Sequence, residues 1–323
     1  MYALRKVAGL VALAVSLAVT PVAAASNITP LVSTDWLAEH IGEPDMVVLD
    51  IRSPFAGSGK KDYLAGHIPG ALWSEYPGYW RTDRESVVGV LPSVEKLEAA
   101  LSELGVADGK TVVIVPAGGN SSEFGAAARI YWTLKYLGHD DVAILDGGHR
   151  RWTEEKRDLE TGPVAPIGDM FIAEPRASYL SATSDVARRM NSSTVLIDGR
   201  PAAQFSGKGK HSKATRFGRI PGAVNLDQAT FYDDKAGRLK DTATIASLVP
   251  ENLADKSVEM VSYCNTGHWA ATNWFVLHEL LGYENVSLYD DSMVGWSQDE
   301  SLPMASERTM MDDIKAFLND LAG

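Results

Sequence analysis

The 323-residue sequence contains a single cysteine, Cys264, and no excess of basic residues. One cysteine cannot form an internal disulfide or a thiolate zinc site, and the seven histidines show no metal-ligand spacing, so no metal or other cofactor is expected. With 30 Lys and Arg against 42 Asp and Glu, the formal net charge is −12. No long basic face is available to neutralise phosphates, which argues against a nucleic-acid partner. A small anionic substrate is still compatible with an acidic chain, because one site can be locally positive.

An apolar run that is short for a bilayer span lies near the N-terminus. Arg5 and Lys6 precede the almost wholly apolar run 7–19, and residues 23–25 offer an A-x-A cleavage site. We therefore expect residues 1–25 to be a cleaved signal peptide; the alternative is an uncleaved anchor. The folded part is expected to be periplasmic or secreted, without membrane contact after cleavage. Removal of these two basic residues would change the formal charge from −12 to −14.

The rest of the chain repeats itself at low similarity. The segment 47–52 (VVLDIR) is echoed by 195–200 (VLIDGR), and 66–71 (GHIPGA) is echoed by 218–223 (GRIPGA). Matched motifs in the same order indicate a duplicated structural unit.

Each repeat also places short apolar strands around a helical stretch. Strands are predicted at 111–115 and 257–262, and helices at 126–137 and 270–281, each helix ending at a glycine. A second apolar strand follows each helix. This alternation is typical of a parallel sheet that is covered by helices on both faces.

The sequence therefore predicts two similar α/β domains, each a mainly parallel sheet with helices on both faces. The first is expected at 30–160 and the second at 179–320. The segment 161–178, which contains three prolines, is expected to be the linker.

Cys264 lies between the predicted strand and helix of the second repeat. In open α/β sheets, ligands bind at the carboxyl ends of the strands. Backbone N–H groups of residues 265–270 can curl around the sulfur, and the helix N-terminus adds partial positive charge, so the loop should favour a thiolate and also a persulfide anion. We predict that Cys264 is the catalytic nucleophile. The substrate-binding residues predicted in this loop are Asn265, Thr266, Gly267, His268 and Trp269.

The paired Asp-x-Arg and Gly-x-Ile-Pro-Gly-Ala motifs, the duplication and the loop cysteine resemble the tandem rhodanese family, which includes thiosulfate and 3-mercaptopyruvate sulfurtransferases. The resemblance spans nearly the whole chain after residue 25. It implies two rhodanese-like domains with the active site near their interface, and it assigns catalysis to Cys264. The corresponding first-domain loop, 116–125, has no thiol and is about three residues longer, so this domain is expected to be non-catalytic. Ala270 stands where related phosphatase loops carry an arginine, which disfavours a phosphatase.

These motifs leave two sulfur donors to compare, thiosulfate and 3-mercaptopyruvate. In mercaptopyruvate enzymes of the family, the cysteine loop resembles Cys-Gly-Ser-Gly, and a second arginine follows Asp-x-Arg. This chain has Gln204 at the position of that arginine. The basic cluster 208–216 offers a positive site for thiosulfate, although a solvated loop is an equal alternative. Thiosulfate or a related sulfane-sulfur donor is therefore expected, with 3-mercaptopyruvate as the alternative. Arg200, expected mainly to brace the loops with Asp198, is also a candidate for substrate binding, as are Lys210 and Lys213.

The expected reaction is a double displacement through a persulfide on Cys264. The donor is a small anion, and the acceptor is a thiophile such as cyanide or a thiol. The alternative from another class is an exported sulfur carrier that holds the persulfide without turnover. His268 is expected either to pack or to act on the substrates, by polarising the donor or orienting the acceptor. Trp269 is expected either to wall the pocket or to join the core.

Overall fold

The computed structural model describes residues 28–54, 57–312 and 314. The predicted signal peptide, residues 1–25, lies outside the described residues, as does the end of the second predicted domain from residue 315. Within the described ranges, no helix is both long enough and apolar enough to cross a membrane.

The first half of the chain forms a five-stranded parallel sheet and a separate β-hairpin. Its strands are β1 (Leu31–Val32), β2 (Met46–Asp50), β3 (Leu72–Trp73), β4 (Thr82–Arg84), β5 (Val87–Val90), β6 (Thr111–Val115) and β7 (Val142–Leu145). Its helices are α1 (Thr34–His40), α2 (Lys60–Ala65), α3 (Val94–Glu103), α4 (Ser121–Tyr136) and α5 (Gly148–Glu154), with a 3₁₀ turn at Gly78–Trp80. The sheet order is β1-β7-β6-β2-β3, and β4 pairs with β5 in the hairpin.

The second half repeats this arrangement after residues 161–176, which contain neither helix nor strand. Its strands are β8 (Leu180–Ser181), β9 (Val195–Asp198), β10 (Val224–Asn225), β11 (Tyr232–Asp233), β12 (Arg238–Leu239), β13 (Met260–Tyr263) and β14 (Val286–Tyr289). Its helices are α6 (Thr183–Arg189), α7 (Ala202–Phe205), α8 (Thr242–Leu248), α9 (His268–Trp274) and α10 (Ser292–Gln298). A π-helix, Phe275–Leu280, continues α9, and 3₁₀ turns lie at Ala177–Tyr179, Gln228–Phe231 and Glu251–Leu253.

The two parallel sheets have the same strand order. In the second sheet, β8-β14-β13-β9-β10 take the places of β1-β7-β6-β2-β3. The central strand β6 is almost wholly buried, as expected for a β-branched run covered on both faces, and β13 is wholly buried although Val261 is its one β-branched residue. The prediction of two similar α/β domains is confirmed.

The helix that follows each central strand begins earlier than its apolar pattern predicted. The Asn120 side chain caps α4 by accepting hydrogen bonds from the N–H groups of Ser122 and Glu123, at 2.9 and 3.1 Å. The helix therefore starts inside the segment 116–125 that was expected to be a loop. In the second half, α9 starts at His268, directly after Gly267 in the left-handed conformation (φ +72°).

These two helices, α4 and α9, pack against each other and join the domains through a shared core. Phe275 contacts Phe124 and Tyr131 edge-on, with ring centroids 5.6 and 4.9 Å apart. Gly125 allows the close approach, since a Cβ there would lie 3.0 Å from Nε2 of His268. As a result, the loops that follow β6 and β13 face one cleft between the domains.

Candidate active site

A cavity of about 280 Å³ lies in this cleft, and Cys264 is part of its wall. The predicted catalytic loop, residues 264–269, also lines it, with the exception of Gly267. The second half contributes Cys264, Asn265, Thr266, His268, Trp269 and His211; the first half contributes Ile51, Arg52, Ser53, Tyr76, Pro77, Arg81, Pro116, Ala117, Asn120, Ser122, Glu123 and Ala126.

Cys264 directly follows β13 and is only 1% exposed. Its N–H donates a hydrogen bond to Oγ of Ser292 at 3.1 Å, and its carbonyl accepts one from the N–H of Met293 at 3.0 Å. The first residues of α10 therefore fix the backbone of Cys264. This anchoring restricts the directions in which the sulfur can point into the cavity.

Ser292 also anchors the far end of the loop. Its hydroxyl oxygen accepts the N–H of Gly267 at 3.1 Å and donates its own proton to the Tyr289 carbonyl at 2.8 Å. The N–H of Gly267 thus points at Ser292 and not at the sulfur, which corrects the expectation that every N–H of 265–270 faces Cys264. Ser292 itself adopts a left-handed φ of +50°, which is unfavourable for a residue with a Cβ.

The first domain holds the loop carbonyls from outside. Arg81 Nη2 donates to the Thr266 carbonyl at 2.5 Å, and Arg129 Nη1 donates to the Gly267 carbonyl at 3.2 Å. The buried Arg129 also forms an ion pair with Asp290 at 2.5 Å. Because the carbonyl and N–H of one peptide group point in opposite directions, drawing these carbonyls outward sets the orientation of the following N–H groups.

His268 links the two domains through both ring nitrogens. Nε2 lies 2.8 Å from the Ser122 carbonyl, which can only accept, so Nε2 carries the proton. Nδ1 then accepts the hydroxyl proton of Tyr76 at 2.7 Å. Burial of the ring, followed by the positive charge of Arg81, lowers the pKa of His268 to about 3. The ring is therefore neutral and already engaged, and the geometry favours packing over acid–base chemistry.

Trp269 and Asn265 complete the wall on this side. The indole N–H of Trp269 donates to Oγ of Ser122 at 3.0 Å while its ring lines the cavity, so it serves as pocket wall. The Asn265 amide donates to Oε1 of Gln204 at 2.9 Å. Gln204 stands where the resemblance to mercaptopyruvate enzymes would place an arginine. In this chain it orients Asn265, the residue next to Cys264.

The binding residues predicted outside the catalytic loop are not in the cavity wall. Arg200 is 1% exposed, and its guanidinium donates to Asp198 at 2.6 and 2.8 Å and to the Gly218 carbonyl at 2.9 Å, so it is a brace. Lys210 donates to the Ala214 carbonyl within its own loop at 2.6 Å. Lys213 is exposed and points elsewhere. His211 is the member of the basic cluster that lines the cavity, and it was not among the predicted binding residues.

The first domain keeps the loop framework without the thiol. Pro116 takes the place of Cys264, because its carbonyl accepts the N–H of His149 at 2.8 Å just as Cys264 accepts Met293. Gly148 takes the place of Ser292 and shares its left-handed conformation (φ +56°). The loop between strand and helix has five residues (116–120) against four (264–267), so it is one residue longer and not three.

No group of three or more His, Cys, Asp or Glu side chains in the described part of the chain is arranged to hold a metal ion.

The comparisons with known proteins agree with this architecture. The family model for the rhodanese-like domain matches residues 33–155 and again 182–299. A Mycobacterium bovis protein named "Putative thiosulfate sulfurtransferase 1" is 32% identical over 279 residues, covering 84% of this chain and 95% of the relative. The sulfur carrier protein TtuD of Thermus thermophilus is 31% identical over 85% of this chain and 96% of the relative.

A solved structure shares the fold over a similar length. SseA of Escherichia coli, whose structure is described among 3-mercaptopyruvate sulfotransferases, is 29% identical with a TM-score of 0.70, covering 82% of this chain and 99% of that one. Together with the two matched copies of the family domain, this similarity establishes that the chain belongs to the rhodanese family.

Proposed function

We propose that this protein is a sulfurtransferase that carries sulfur as a persulfide on Cys264, with thiosulfate as the donor. The observation that carries the proposal is the position of the chain's only cysteine. It lies in the wall of the cavity between the domains, on a loop that both domains brace. The names of the mycobacterial and Thermus relatives support sulfur transfer and sulfur carriage respectively.

The reaction proceeds by two displacements at sulfur. The Cys264 thiolate attacks the outer sulfur of thiosulfate, the S–S bond of the donor breaks, and sulfite leaves with the bonding electron pair. One thiolate and one dianion thus become one persulfide anion and one sulfite dianion. Cyanide then attacks the terminal sulfur, thiocyanate leaves, and the thiolate is restored, so neither step needs an external oxidant or reductant.

Two features of the cavity support a small anionic donor. Its volume of about 280 Å³ suits a compact molecule, and two arginines, Arg52 and Arg81, line it against one carboxylate, Glu123. The structural similarity to SseA supports 3-mercaptopyruvate as the alternative donor. A carrier with little turnover is the second candidate, supported by the similarity to TtuD and by the deep burial of Cys264.

Activity and persulfide formation test these alternatives together. The protein without residues 1–25 should convert thiosulfate and cyanide to thiocyanate with parallel double-reciprocal lines, and Cys264→Ser should be inactive. Intact mass after thiosulfate treatment should increase by one sulfur in the wild type only. A persulfide without turnover would support the carrier, faster turnover with 3-mercaptopyruvate would support that donor, and no persulfide with either donor would refute the proposal.

We also propose that the protein is exported after removal of residues 1–25. The basic and apolar N-terminal pattern supports this location. N-terminal sequencing of protein from fractionated cells should find Ser26 first in the periplasmic or external fraction. An intact N-terminus in the cytoplasmic fraction would contradict it.

A further inference from the structure

The cavity wall contains several ionisable side chains, and most of them already have partners. Arg52 forms an ion pair with Asp50 at 2.7 Å. The Glu123 carboxylate accepts the N–H of Gly119 at 2.6 Å and the Asn120 amide at 2.9 Å, which turns it toward its own loop. Of the remaining groups, Arg81 and His211 are free to act on a bound molecule.

Arg81 is held rigidly beside the catalytic loop. Its Nε donates to the Gly89 carbonyl of the β-hairpin at 2.7 Å, and its Nη2 donates to the Thr266 carbonyl at 2.5 Å. Both contacts are to neutral carbonyls, and no carboxylate in the described ranges lies within ion-pair distance of this guanidinium. Its positive charge is therefore uncompensated by an ion pair, and it is held against the carbonyl of Thr266, two residues after Cys264 in the sequence.

His211 presents a hydrogen-bond donor to the same cavity. The N–H of Lys213 donates to Nδ1 of His211 at 3.2 Å, so the neutral ring carries its proton on Nε2. This Nε2 has no hydrogen-bond partner in the part of the chain that the structure describes. Burial lowers the pKa of His211 most, and the positive charges of Arg81, Lys210 and Lys213 lower it further. The potential at this end of the cavity is therefore favourable to an anion.

We infer that Arg81 and His211 together bind the oxyanion end of the sulfur donor and orient its outer sulfur toward Cys264. This inference rests on the proposed function. Arg81 supplies a fixed charge from the non-catalytic domain, and His211 supplies a directional N–H from the basic loop. They take the role that the basic cluster predicts for Lys210 and Lys213.

The test measures thiosulfate binding and persulfide formation separately. Binding is measured by calorimetry in the Cys264→Ser background, where no sulfur can be transferred. Replacing Arg81 with Met should weaken binding about tenfold or more, since a charge-assisted contact is lost. Replacing His211 with Phe should weaken it several-fold, whereas His211→Gln keeps an N–H donor and should stay close to the parent protein.

Two comparisons separate anion binding from a structural role of Arg81. Arg81→Lys keeps the charge but cannot brace both carbonyls, so it should retain most of the thiosulfate affinity that Arg81→Met loses. Arg84, an exposed arginine of the same hairpin, gives the matched control Arg84→Met, which should bind normally.

The outcomes distinguish this inference from the proposed function. Unchanged affinity in both Arg81→Met and His211→Phe would overturn the inference even if the wild type forms a persulfide. Equal losses in Arg81→Lys and Arg81→Met would also overturn it for Arg81, because bracing alone would then account for the effect. If the wild type forms no persulfide while the binding differences hold, the proposed function fails and the anion site stands.

Discussion

Acidification should destabilise the folded protein through His268, whose ring must stay neutral to link the two domains. The neutral ring donates to the Ser122 carbonyl and accepts from the Tyr76 hydroxyl. A protonated ring has donors on both nitrogens, so Nδ1 could no longer accept that hydroxyl proton. Burial and the charge of Arg81 oppose protonation and lower the pKa of His268 from 6.5 to about 3.

The size of the effect follows from this pKa difference. Above pH 6.5 neither the folded nor the unfolded chain carries the proton, and the link contributes fully. As the pH falls below 6.5, His268 binds a proton in the unfolded chain but not in the folded chain. The free energy of unfolding therefore decreases progressively until the pH reaches the folded pKa. Between pH 8 and pH 5 the loss from His268 is about 2 kcal/mol, and any folded pKa below about 4 gives nearly the same figure.

A difference between variants isolates this contribution from other histidines, such as His149, whose pKa is lowered to about 4. Urea unfolding of the wild type and of His268→Gln is measured at pH 8 and pH 5. The variant cannot titrate, so its free energy of unfolding should fall by about 2 kcal/mol less than that of the wild type over this interval. His40→Gln on α1, outside the cavity wall, serves as the control. Equal pH dependence in wild type and His268→Gln would refute the reasoning.

Three further outcomes are expected. Gly267→Ala should lower kcat about tenfold or more, because the added Cβ would lie 2.4 Å from Nη1 of Arg129. Gly282→Ala is the control: Gly282 has a similar φ of +73°, but its added Cβ would have no atom within 4 Å, so this variant should keep normal activity. Ser292→Ala should cost about 1–3 kcal/mol in urea unfolding, since two buried N–H groups lose their acceptor. Thiosulfate binding should tighten as the pH falls toward the lowered pKa of His211, because protonation adds a positive charge to this ring, and His211→Gln should lack this change.

Local pattern was sufficient to predict the fold. The strands at 111–115, 142–145 and 286–289 are mostly apolar, with Thr111 and Ser287 as exceptions, as is typical of strands buried on both faces, and the structure places strands at these ranges. The strand expected at 257–262 is shorter because Ser257 hydrogen-bonds to Asp255 in a turn. Helix starts were missed because caps such as Asn120 stand outside the apolar period.

The site was predicted only where it is local in sequence. The catalytic loop follows one strand directly, so Cys264 and its neighbours could be placed from the strand–loop–helix pattern. Tyr76, Arg81 and Ser122 reach the same cavity from the other domain. Their hydrogen-bond partners in the catalytic loop lie 146 to 192 positions away in the sequence, and no local spacing relates residues so far apart. In the basic cluster, charge indicated the lysines, whereas the backbone turned His211 toward the cavity instead.

Comparing the two halves explains why a domain that has lost its thiol is still needed. Pro116 preserves the backbone position of the cysteine, but Gly148 has no hydroxyl with which to anchor a loop as Ser292 does. The first-domain loop therefore lacks both the nucleophile and the acceptor that fixes it. Its helix α4 instead carries Ser122 and Arg129, which hold His268 and the Gly267 carbonyl of the other domain. The two copies thus differ in what they contribute: the second carries Cys264, and the first holds the loop on which Cys264 lies.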